Sequence, residues 1–273
     1  MLDKSRVLVL GRGFLGKEYE RQGYTVWGRE KFNFIGYNPM ISYHSIADVG
    51  EDFDVLINCI GSADTRKCED RKNWADTERI NSILPNFLSI LCSSINKKFV
   101  HISTGCVYDK NNTPQKEDGF LASHCKYVVS KLSAEFYCDP DRDLILRPRL
   151  YFSGHQDKNN MLSKLPSFSR HLNEINSYTS IKTIVEATTA LLEAEQCGFF
   201  NVANEGYASI EQIANWVGLE KKPPITGEGL QESQGLALVN NILDTTKLEK
   251  FYKPRNLREE IEDCWAKLLK SFN

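Results

Sequence analysis

The apolar residues in the first half of the chain fall into short continuous runs, separated by longer stretches that repeat every three or four residues. Short runs such as Val7-Leu8-Val9-Leu10 are typical of strands buried on both faces. The stretch from Ile80 to Ile95 keeps its apolar side chains on one face of a helix. The pattern predicts strands at 7–10, 25–27, 54–60, 99–103 and 143–146, and helices at 14–22, 80–95 and 126–137. Strands that alternate with helices predict a parallel sheet covered on both faces, which is a doubly wound α/β fold.

After Arg147-Pro148 this alternation becomes irregular, which indicates a change of architecture. Ser209 and Gln212 stand at capping-box spacing and predict the start of a helix. The remaining pattern predicts loops at 153–160 and 221–235, helices at 181–195, 209–217 and 257–269, and a strand at 198–202. We therefore expect a sheet domain over residues 1–150 and a smaller C-terminal α/β lobe over 151–273. This division leaves open that a strand or helix from the C-terminal lobe packs back into the first domain.

The bulk composition is that of an ordinary globular protein. The 273 residues are 41% hydrophobic and 26% charged, and the net charge is −2. This balance gives no reason to expect binding to nucleic acid or to an anionic membrane surface. The sequence shows neither an apolar run of transmembrane length nor a secretory signal. Because its eight cysteines contain no Cys-x-x-Cys pair, we expect reduced thiols, no metal centre and a cytoplasmic protein.

A glycine-rich turn follows the first predicted strand and opens the first predicted helix. It has the form G-x-G-x-x-G and consists of Gly11, Arg12, Gly13, Phe14, Leu15 and Gly16. Glycines in this context allow a tight turn and the close approach of a pyrophosphate, which the N–H groups of the following helix can bind. The turn therefore predicts a Rossmann-type domain with these six residues at a dinucleotide cofactor. The alternative is an ordinary strand–helix turn.

The residues after the second predicted strand bear on which dinucleotide is bound. NAD-binding versions of this domain place an acid there to hold the ribose 2′-hydroxyl. Here Gly28 and Arg29 occupy that position, and Glu30 comes one residue later. Arg12 adds a second guanidinium close to the adenine ribose. Arginines bind a 2′-phosphate through charge-assisted hydrogen bonds, so the pattern favours NADPH over NADH unless both arginines are solvated surface residues.

A Y-x-x-x-K motif lies on the predicted helix at 126–137. Tyr127 and Lys131 are one helical turn apart, so their side chains share one face. A second copy, Tyr178 to Lys182, lacks this helical context, and we assign its tyrosine to packing or substrate contact. Ser103 and Thr104 end a predicted strand upstream, and strand alternation turns only one of their hydroxyls toward the motif.

A strand-end hydroxyl followed by this motif resembles the extended short-chain dehydrogenase/reductase superfamily. Hydride addition to a ketone leaves negative charge on oxygen, which Tyr127 would protonate and Thr104 would stabilise by a hydrogen bond. Lys131 would lower the pKa of the phenol from its usual value of about 10 and hold the nicotinamide ribose. The resemblance also implies that Asn58 lies at the cofactor and Asn81 on the substrate side of the site.

Within this superfamily the chain is similar to sugar-nucleotide 4-keto reductases. These include dTDP-4-dehydrorhamnose reductase, GDP-L-fucose synthase and UDP-4-keto-6-deoxyglucose 3,5-epimerase/4-reductase. Residues 240–248 resemble their closing N-N-x-x-D-x-x-K-L segment, and residues 176–179 resemble their N-S-x-T segment. This similarity implies that Arg149 and Asn176 contact the substrate.

Cys106 and Lys164 match a pair that performs epimerisation in some of these enzymes. Carbons 3 and 5 of the sugar flank the C4 ketone, so their protons are acidic. Cys106 as thiolate would remove a proton, and Lys164 would return one to the opposite face. The alternative is that Cys106 packs as a small apolar residue and Lys164 is a surface lysine.

The resemblance implies an NADPH-dependent oxidoreductase that reduces a nucleotide-linked 4-keto-6-deoxyhexose in deoxysugar biosynthesis, with 3,5-epimerase activity as well. Its partner would be the nucleotide sugar, and the resemblance leaves a homodimer open. Two alternatives are an epimerase or dehydratase that retains NAD, and a non-catalytic NADP-binding regulatory protein of the same fold. A dehydratase needs carboxylates after its threonine, where Gly105 and Cys106 stand. Regulatory relatives often lack the tyrosine or the lysine, and both are present here.

Overall fold

The computed structural model describes residues 1–32, 46, 52–110, 113–122, 125–234 and 240–271. Of the described strands, six form one sheet in the order β10-β6-β4-β3-β1-β2, and the neighbours from β2 through β6 pair in parallel. Short ladders join β5 with β12, β7 with β9 and β8 with β11. The strands are β1 (Val7–Leu10), β2 (Thr25–Trp27), β3 (Val55–Asn58), β4 (Lys98–Ile102), β5 (Pro114–Gln115), β6 (Leu144–Pro148), β7 (Tyr151–Phe152), β8 (His171–Leu172), β9 (Thr179–Ser180), β10 (Gly198–Val202), β11 (Pro224–Ile225) and β12 (Ile242–Leu243).

Helices follow most of the sheet strands along the chain. They are α1 (Gly16–Arg21), α2 (Thr65–Glu69), α3 (Trp74–Glu78), α4 (Leu84–Ser94), α5 (Lys126–Tyr137), α6 (Met161–Lys164), α7 (Ile181–Glu193), α8 (Ile210–Trp216), α9 (Gly227–Gln234) and α10 (Leu257–Lys270). A π-helical turn, Arg79–Ile83, joins α3 to α4. None of the described helices has the length and apolar character needed to cross a membrane. The described residues also contain no cluster of three or more His, Cys, Asp or Glu side chains arranged to bind a metal ion.

The parallel α/β fold predicted from the hydrophobic pattern is confirmed. The loop predicted at 221–235 is wrong, because β11 and α9 lie within it. The hydroxyl of Thr226 accepts a hydrogen bond from the Gly229 N–H at 3.1 Å, which caps the start of α9. The Lys, Pro and Gly content of this segment concealed a capped helix.

The chain divides into two compact units, of which the first consists of Met1–Thr104, Ser123–Leu146 and Leu191–Phe200. Its core lies between the sheet and α4. Burying one leucine or phenylalanine side chain contributes about 1.5–3 kcal/mol, so this layer fixes α4 against the strands. Its buried apolar residues include Leu8, Leu10, Leu56, Leu84, Leu88, Leu91 and Phe99.

The second unit consists of Gly105–Ala122, Arg147–Ala190 and Asn201–Asn273. Its core gathers around α8 and α10, and α8 begins with the predicted capping box of Ser209 and Gln212. Spatial proximity thus assigns 105–122 to the second unit and 191–200 to the first. The division into domains at residue 150 stays a prediction.

The strand register brings three chain segments to one edge of the sheet. Leu10 of β1 pairs with Asn58 of β3, and Asn58 pairs with His101 of β4. The glycine-rich turn, the turn after β3 and the residues after β4 therefore follow at the same carboxyl edge. Parallel sheets of this kind bind their ligands at that edge. This edge of the first unit is the candidate site.

Candidate active site

The glycine-rich turn is folded too tightly for side chains at two of its glycines. Gly11 has a φ of +104°, and a Cβ there would lie 2.9 Å from Ile60 Cγ1. A Cβ at Gly16 would lie 1.8 Å from the carbonyl oxygen of Gly11. At Gly13, in contrast, a Cβ would meet no heavy atom of the described residues within 4 Å. The turn is therefore closed toward the protein and open at Gly13, as the close approach of a phosphate requires.

The charged groups near the end of β2 lie at the surface. Arg12 donates from Nε to Glu20 at 3.0 Å, and its Nη2 lies 2.8 Å from the second carboxylate oxygen. Arg29 is exposed. Glu30 turns back, so that its Oε1 accepts the Gly28 N–H at 3.1 Å. Hydrogen bonds from the N–H groups of Glu30 itself and of Gly28 lower the pKa of this carboxyl. The Glu30 carboxylate thus lies beside Gly28, the first residue after β2, although Glu30 itself comes two residues later in the chain.

Lys131 is buried in the first unit, with only 5% of its surface exposed. Its Nζ donates to the carbonyl oxygen of Ile102 at 2.8 Å, which places the ammonium at the end of β4, where the buried Thr104 follows. A Cβ added to Gly61 would lie 3.6 Å from this Nζ, so the ammonium also lies beside the turn after β3. Tyr127 precedes it by one turn of α5 and is partly exposed. The structure therefore brings Lys131 to the edge that carries the glycine-rich turn.

Burial is the main influence on the pKa of Lys131. Loss of solvation lowers the pKa of Lys131 to about 8, and the neighbouring Glu135 acts in the opposite direction. Burial also lowers the pKa of His101 well below 6.5, so this imidazole is neutral. Burial raises the pKa of the Cys59 thiol. Lys131 is therefore an ammonium at neutral pH, among groups that are mostly neutral.

Asn81 joins three segments of the first unit from its buried position in the π-helical turn. Its Oδ1 accepts the Ser62 N–H at 2.7 Å, and its Nδ2 donates to the Ser62 carbonyl at 3.0 Å and to Ser130 Oγ at 3.1 Å. Ser130 Oγ donates in turn to the carbonyl oxygen of Tyr127 at 2.8 Å. Asn81 thus fixes the turn after β3 against α5. Its predicted contact with substrate stays a prediction.

Two further predicted residues occupy the strand ends. Asn58 accepts the Ile60 N–H at 3.0 Å with Oδ1, and its buried Nδ2 has no hydrogen-bond partner among the described residues. Ser103 donates its hydroxyl to Glu135, a residue that sequence reasoning missed. Thr104, the hydroxyl that the resemblance implies for the reaction, is buried at the next position, and its catalytic role stays a prediction.

In the second unit, Cys106 contacts a buried guanidinium. Arg149 donates from Nη1 to Cys106 Sγ at 3.0 Å, and from Nε and Nη2 to Asn176 Oδ1 at 3.2 and 2.6 Å. The backbone N–H of Asn241 donates to the same Oδ1 at 3.1 Å. Three of the predicted site residues therefore form one hydrogen-bonded group. The group places a guanidinium beside the sulfur that the sequence analysis names as a base.

Other predicted residues of the second unit make no described hydrogen bond to this group. Lys164 is the exposed last residue of α6, and the contacts of the described residues do not join it to Cys106. Tyr178 is fully buried in the core, and its hydroxyl has no partner among the described residues. Lys182 pairs at the surface with Glu186 at 3.7 Å. The second Y-x-x-x-K copy therefore contributes packing and a surface ion pair.

The sheet order, the glycine-rich turn and the Tyr-x-x-x-Lys helix define an α/β protein of the short-chain dehydrogenase/reductase type. Residues 7–269 match the RmlD substrate binding domain family. The chain belongs to that family, which confirms the resemblance found in the sequence.

Known proteins similar to this chain share its fold. Protein L780 of Acanthamoeba polyphaga mimivirus is 27% identical over 182 residues, which are 62% of this chain and 63% of L780. The crystal structure of the L780 UDP-rhamnose synthase aligns with a TM-score of 0.79 and 19% identity over 96% of this chain and 99% of that one. The dTDP-4-dehydrorhamnose reductase of Bacillus anthracis in complex with NADP aligns with a TM-score of 0.82 and 17% identity over 97% and 99% of the two chains. That of Clostridium acetobutylicum aligns with a TM-score of 0.81 and 19% identity over 97% and 99%.

Proposed function

We propose that this protein uses NADPH to reduce the ketone of a nucleotide-linked 4-keto-6-deoxyhexose. The observation that carries the proposal is the buried Lys131 ammonium, which lies 2.8 Å from the Ile102 carbonyl beside Thr104 and one helical turn from Tyr127. The names of the similar structures support the substrate class, because they are dTDP-4-dehydrorhamnose reductases and a UDP-rhamnose synthase. The NADP held by the Bacillus anthracis reductase supports the cofactor.

The residues at the carboxyl edge fit such a cofactor. The open side of Gly13 leaves room for a phosphate, and the unpartnered Nδ2 of Asn58 is a donor at the same edge. When bound, NADPH would supply a hydride to the carbonyl carbon of the sugar. Arg12 and Arg29 would bind the 2′-phosphate. The Arg12 guanidinium would then bind both the phosphate and its present partner, the Glu20 carboxylate.

The reduction needs one proton and stabilisation of one developing negative charge. Tyr127 would donate the proton to the carbonyl oxygen, and Thr104 would donate a hydrogen bond to the same atom. The Lys131 ammonium would favour proton release from Tyr127, because it stabilises the phenolate that remains. Asn81 would keep the turn after β3 and α5 in place through Ser62 and Ser130.

The same protein would also epimerise carbons 3 and 5 of the sugar before reduction. Cys106, whose Sγ lies 3.0 Å from Arg149 Nη1, would be the base that removes the acidic proton. Lys164, which is exposed at the end of α6, would return a proton to the other face. Asn176 would hold Arg149 in place and contact the sugar.

Glu30 favours a second candidate, a sugar-nucleotide epimerase that retains NAD. Its carboxylate, bound to the Gly28 N–H after β2, occupies the region where NAD-binding domains hold the ribose hydroxyls. This candidate predicts NAD or NADH bound to the purified protein and no net oxidation of added NADPH.

The proposed assembly is a cytoplasmic homodimer. All eight cysteines are free thiols, which is typical of proteins in reducing compartments. Helices α4 and α5 and the turn before α4 expose apolar side chains that a second copy would cover, including Ile83, Ile90, Val129 and Phe136. A Phe136→Ser variant that stays dimeric in light scattering would argue against this surface.

A substrate screen tests the proposed activity. Purified protein is supplied with NADPH and with UDP-, dTDP- and GDP-linked 4-keto-6-deoxy sugars, and NADPH absorbance is followed. Tyr127→Phe should lose about 10²–10⁴-fold in rate, because it removes the proton donor. Tyr137→Phe, at the exposed end of the same helix, is the matched control and should keep the wild-type rate. The proposal would be wrong if the wild-type protein oxidises no NADPH with any of these sugars.

A further inference from the structure

The first unit contains a buried carboxylate that the proposed reaction leaves unused. Glu135 lies on α5 one helical turn after Lys131, and only 5% of its surface is exposed. Burying a carboxylate is costly unless it is hydrogen-bonded or paired with a charge. The hydroxyl of Ser103, which is 1% exposed, donates to Glu135 Oε1. This bond satisfies part of the carboxylate and fixes its orientation.

Consecutive residues at one strand end hold the ammonium and the carboxylate. Lys131 Nζ donates to the carbonyl of Ile102 at 2.8 Å, and Glu135 accepts from the side chain of the next residue, Ser103. The Ser103 N–H donates to the Leu146 carbonyl at 2.7 Å, which ties this strand end into the sheet. The ammonium and the carboxylate are therefore held by consecutive residues of a rigid element, and they lie one helical turn apart on α5, both buried.

Other ionisable groups also lie around Lys131. They face it from β4, the turn after β3, helix α2 and the end of α5, and they are His101, Cys59, Cys68 and Cys138. Burial lowers the pKa of the imidazole and raises the pKa of the Cys59 and Cys138 thiols, so these three are neutral. Glu69 of α2 faces the start of α5 instead, where it accepts the Tyr127 N–H at 3.3 Å.

We propose that Glu135, oriented by Ser103, is a positioning residue that keeps Lys131 in its ammonium form and so sets the upper pH limit of the reduction. The inference rests on the proposed function, in which the ammonium favours proton release from Tyr127. As the pH rises, Lys131 loses its proton and the reduction slows. A negative charge nearby stabilises the ammonium and not the neutral amine. Removing that charge therefore moves the loss of activity to lower pH.

The test is the pH dependence of kcat/KM at saturating NADPH. Wild-type protein should lose activity above a midpoint near the Lys131 pKa of about 8. Glu135→Gln should lower this midpoint by about one pH unit, so that the variant matches wild type near about pH 6 and is about tenfold slower near about pH 9. Glu135→Asp keeps the charge and should restore most of the midpoint. Ser103→Ala keeps the carboxylate but not its orientation, and should lower the midpoint by less than Glu135→Gln does.

Glu78→Gln is the matched control, because Glu78 is exposed and lies 4.0 Å from Lys126 at the start of the same helix. It should leave the midpoint unchanged. A Glu135→Gln midpoint within about 0.2 pH units of wild type, with activity reduced equally at every pH, would assign Glu135 a merely structural role and overturn the inference. If Glu135→Gln does not fold, as judged by circular dichroism, an unmoved midpoint in Ser103→Ala overturns it. An inactive wild-type protein would overturn the proposed function and the inference with it, whereas active protein with unmoved midpoints overturns the inference alone.

Discussion

The two alanine variants Gly13→Ala and Gly16→Ala separate the folding of the glycine-rich turn from its proposed binding of NADPH. The two glycines are three residues apart, and each substitution adds one methyl group. At Gly16 that methyl would lie 1.8 Å from the Gly11 carbonyl oxygen, whereas at Gly13 it would meet no described heavy atom within 4 Å. The same chemical change is therefore expected to disturb the fold at one position and only a ligand at the other.

The magnitudes follow from these distances. A Cβ and a carbonyl oxygen need about 3 Å or more between them, so the Gly16→Ala turn must shift by more than about 1 Å. Overpacking of this kind costs about 1–3 kcal/mol, and each kcal/mol lowers Tm by about 2–4 °C in a domain of about this size. Gly13→Ala should leave Tm unchanged or raise it slightly, because alanine restricts the unfolded chain at no cost to the native turn.

The assays are Tm by circular dichroism without cofactor and the Kd for NADPH by fluorescence titration. Gly16→Ala should lose stability and binding together. Gly13→Ala should keep its Tm while its Kd rises about tenfold or more, because a methyl group prevents the close approach of the pyrophosphate. A Gly13→Ala protein that binds NADPH as wild type does would refute the reasoning and make this segment an ordinary strand–helix turn.

Three further substitutions test other parts of the site. Arg12→Gln should raise the KM for NADPH by about 10-fold or more and that for NADH by less than about twofold, because only the 2′-phosphate needs the guanidinium; equal losses would contradict this. Cys106→Ala should abolish solvent-deuterium incorporation at C3 and C5 of the sugar, and incorporation that persists would place the base elsewhere. Asn81→Ala should lower the free energy of unfolding by about 1–3 kcal/mol, because it leaves the Ser62 N–H unpaired. Chemical denaturation that finds no loss would contradict the role of Asn81 in fixing the turn after β3 against α5.

Much of the first unit could be predicted because its signals are local. Val7–Leu10 is an unbroken apolar run, and the glycine-rich turn follows it directly. Tyr127 and Lys131 needed only the helical repeat to be placed on one face. Such features depend on neighbours within a few residues, which a single sequence displays.

The remainder of the site depends on contacts between distant positions. Asn81 is hydrogen-bonded to Ser62 and Ser130, which are 19 and 49 positions away in the sequence. It lies in a π-helical turn, which the hydrophobic periodicity does not predict. Glu135 meets Ser103 across 32 residues, and its position on α5 reads as an ordinary helical glutamate. Tertiary packing decides these pairings, so hydrophobic pattern and motif spacing could not supply them.

The contact between Arg149 and Cys106 illustrates the same limit in the second unit. The family resemblance implied that both residues serve the substrate or catalysis, but 43 positions separate them and nothing local links their side chains. Glu30 is a case where a local contact was missed. Its place in the sequence was known, but the hydrogen bond from the Gly28 N–H, which brings the carboxylate back to the end of β2, was not predicted.

The most direct test of the central claim follows the hydride itself. NADPH deuterated at C4 of the nicotinamide is incubated with the protein and a nucleotide-linked 4-keto-6-deoxy sugar, and the product sugar is analysed by mass spectrometry and NMR. We expect one deuterium on C4 of the sugar with wild-type protein, and a rate reduced about 10²–10⁴-fold with Tyr127→Phe. A sugar product without deuterium at C4, or equal transfer by the Tyr127→Phe protein, would contradict the account.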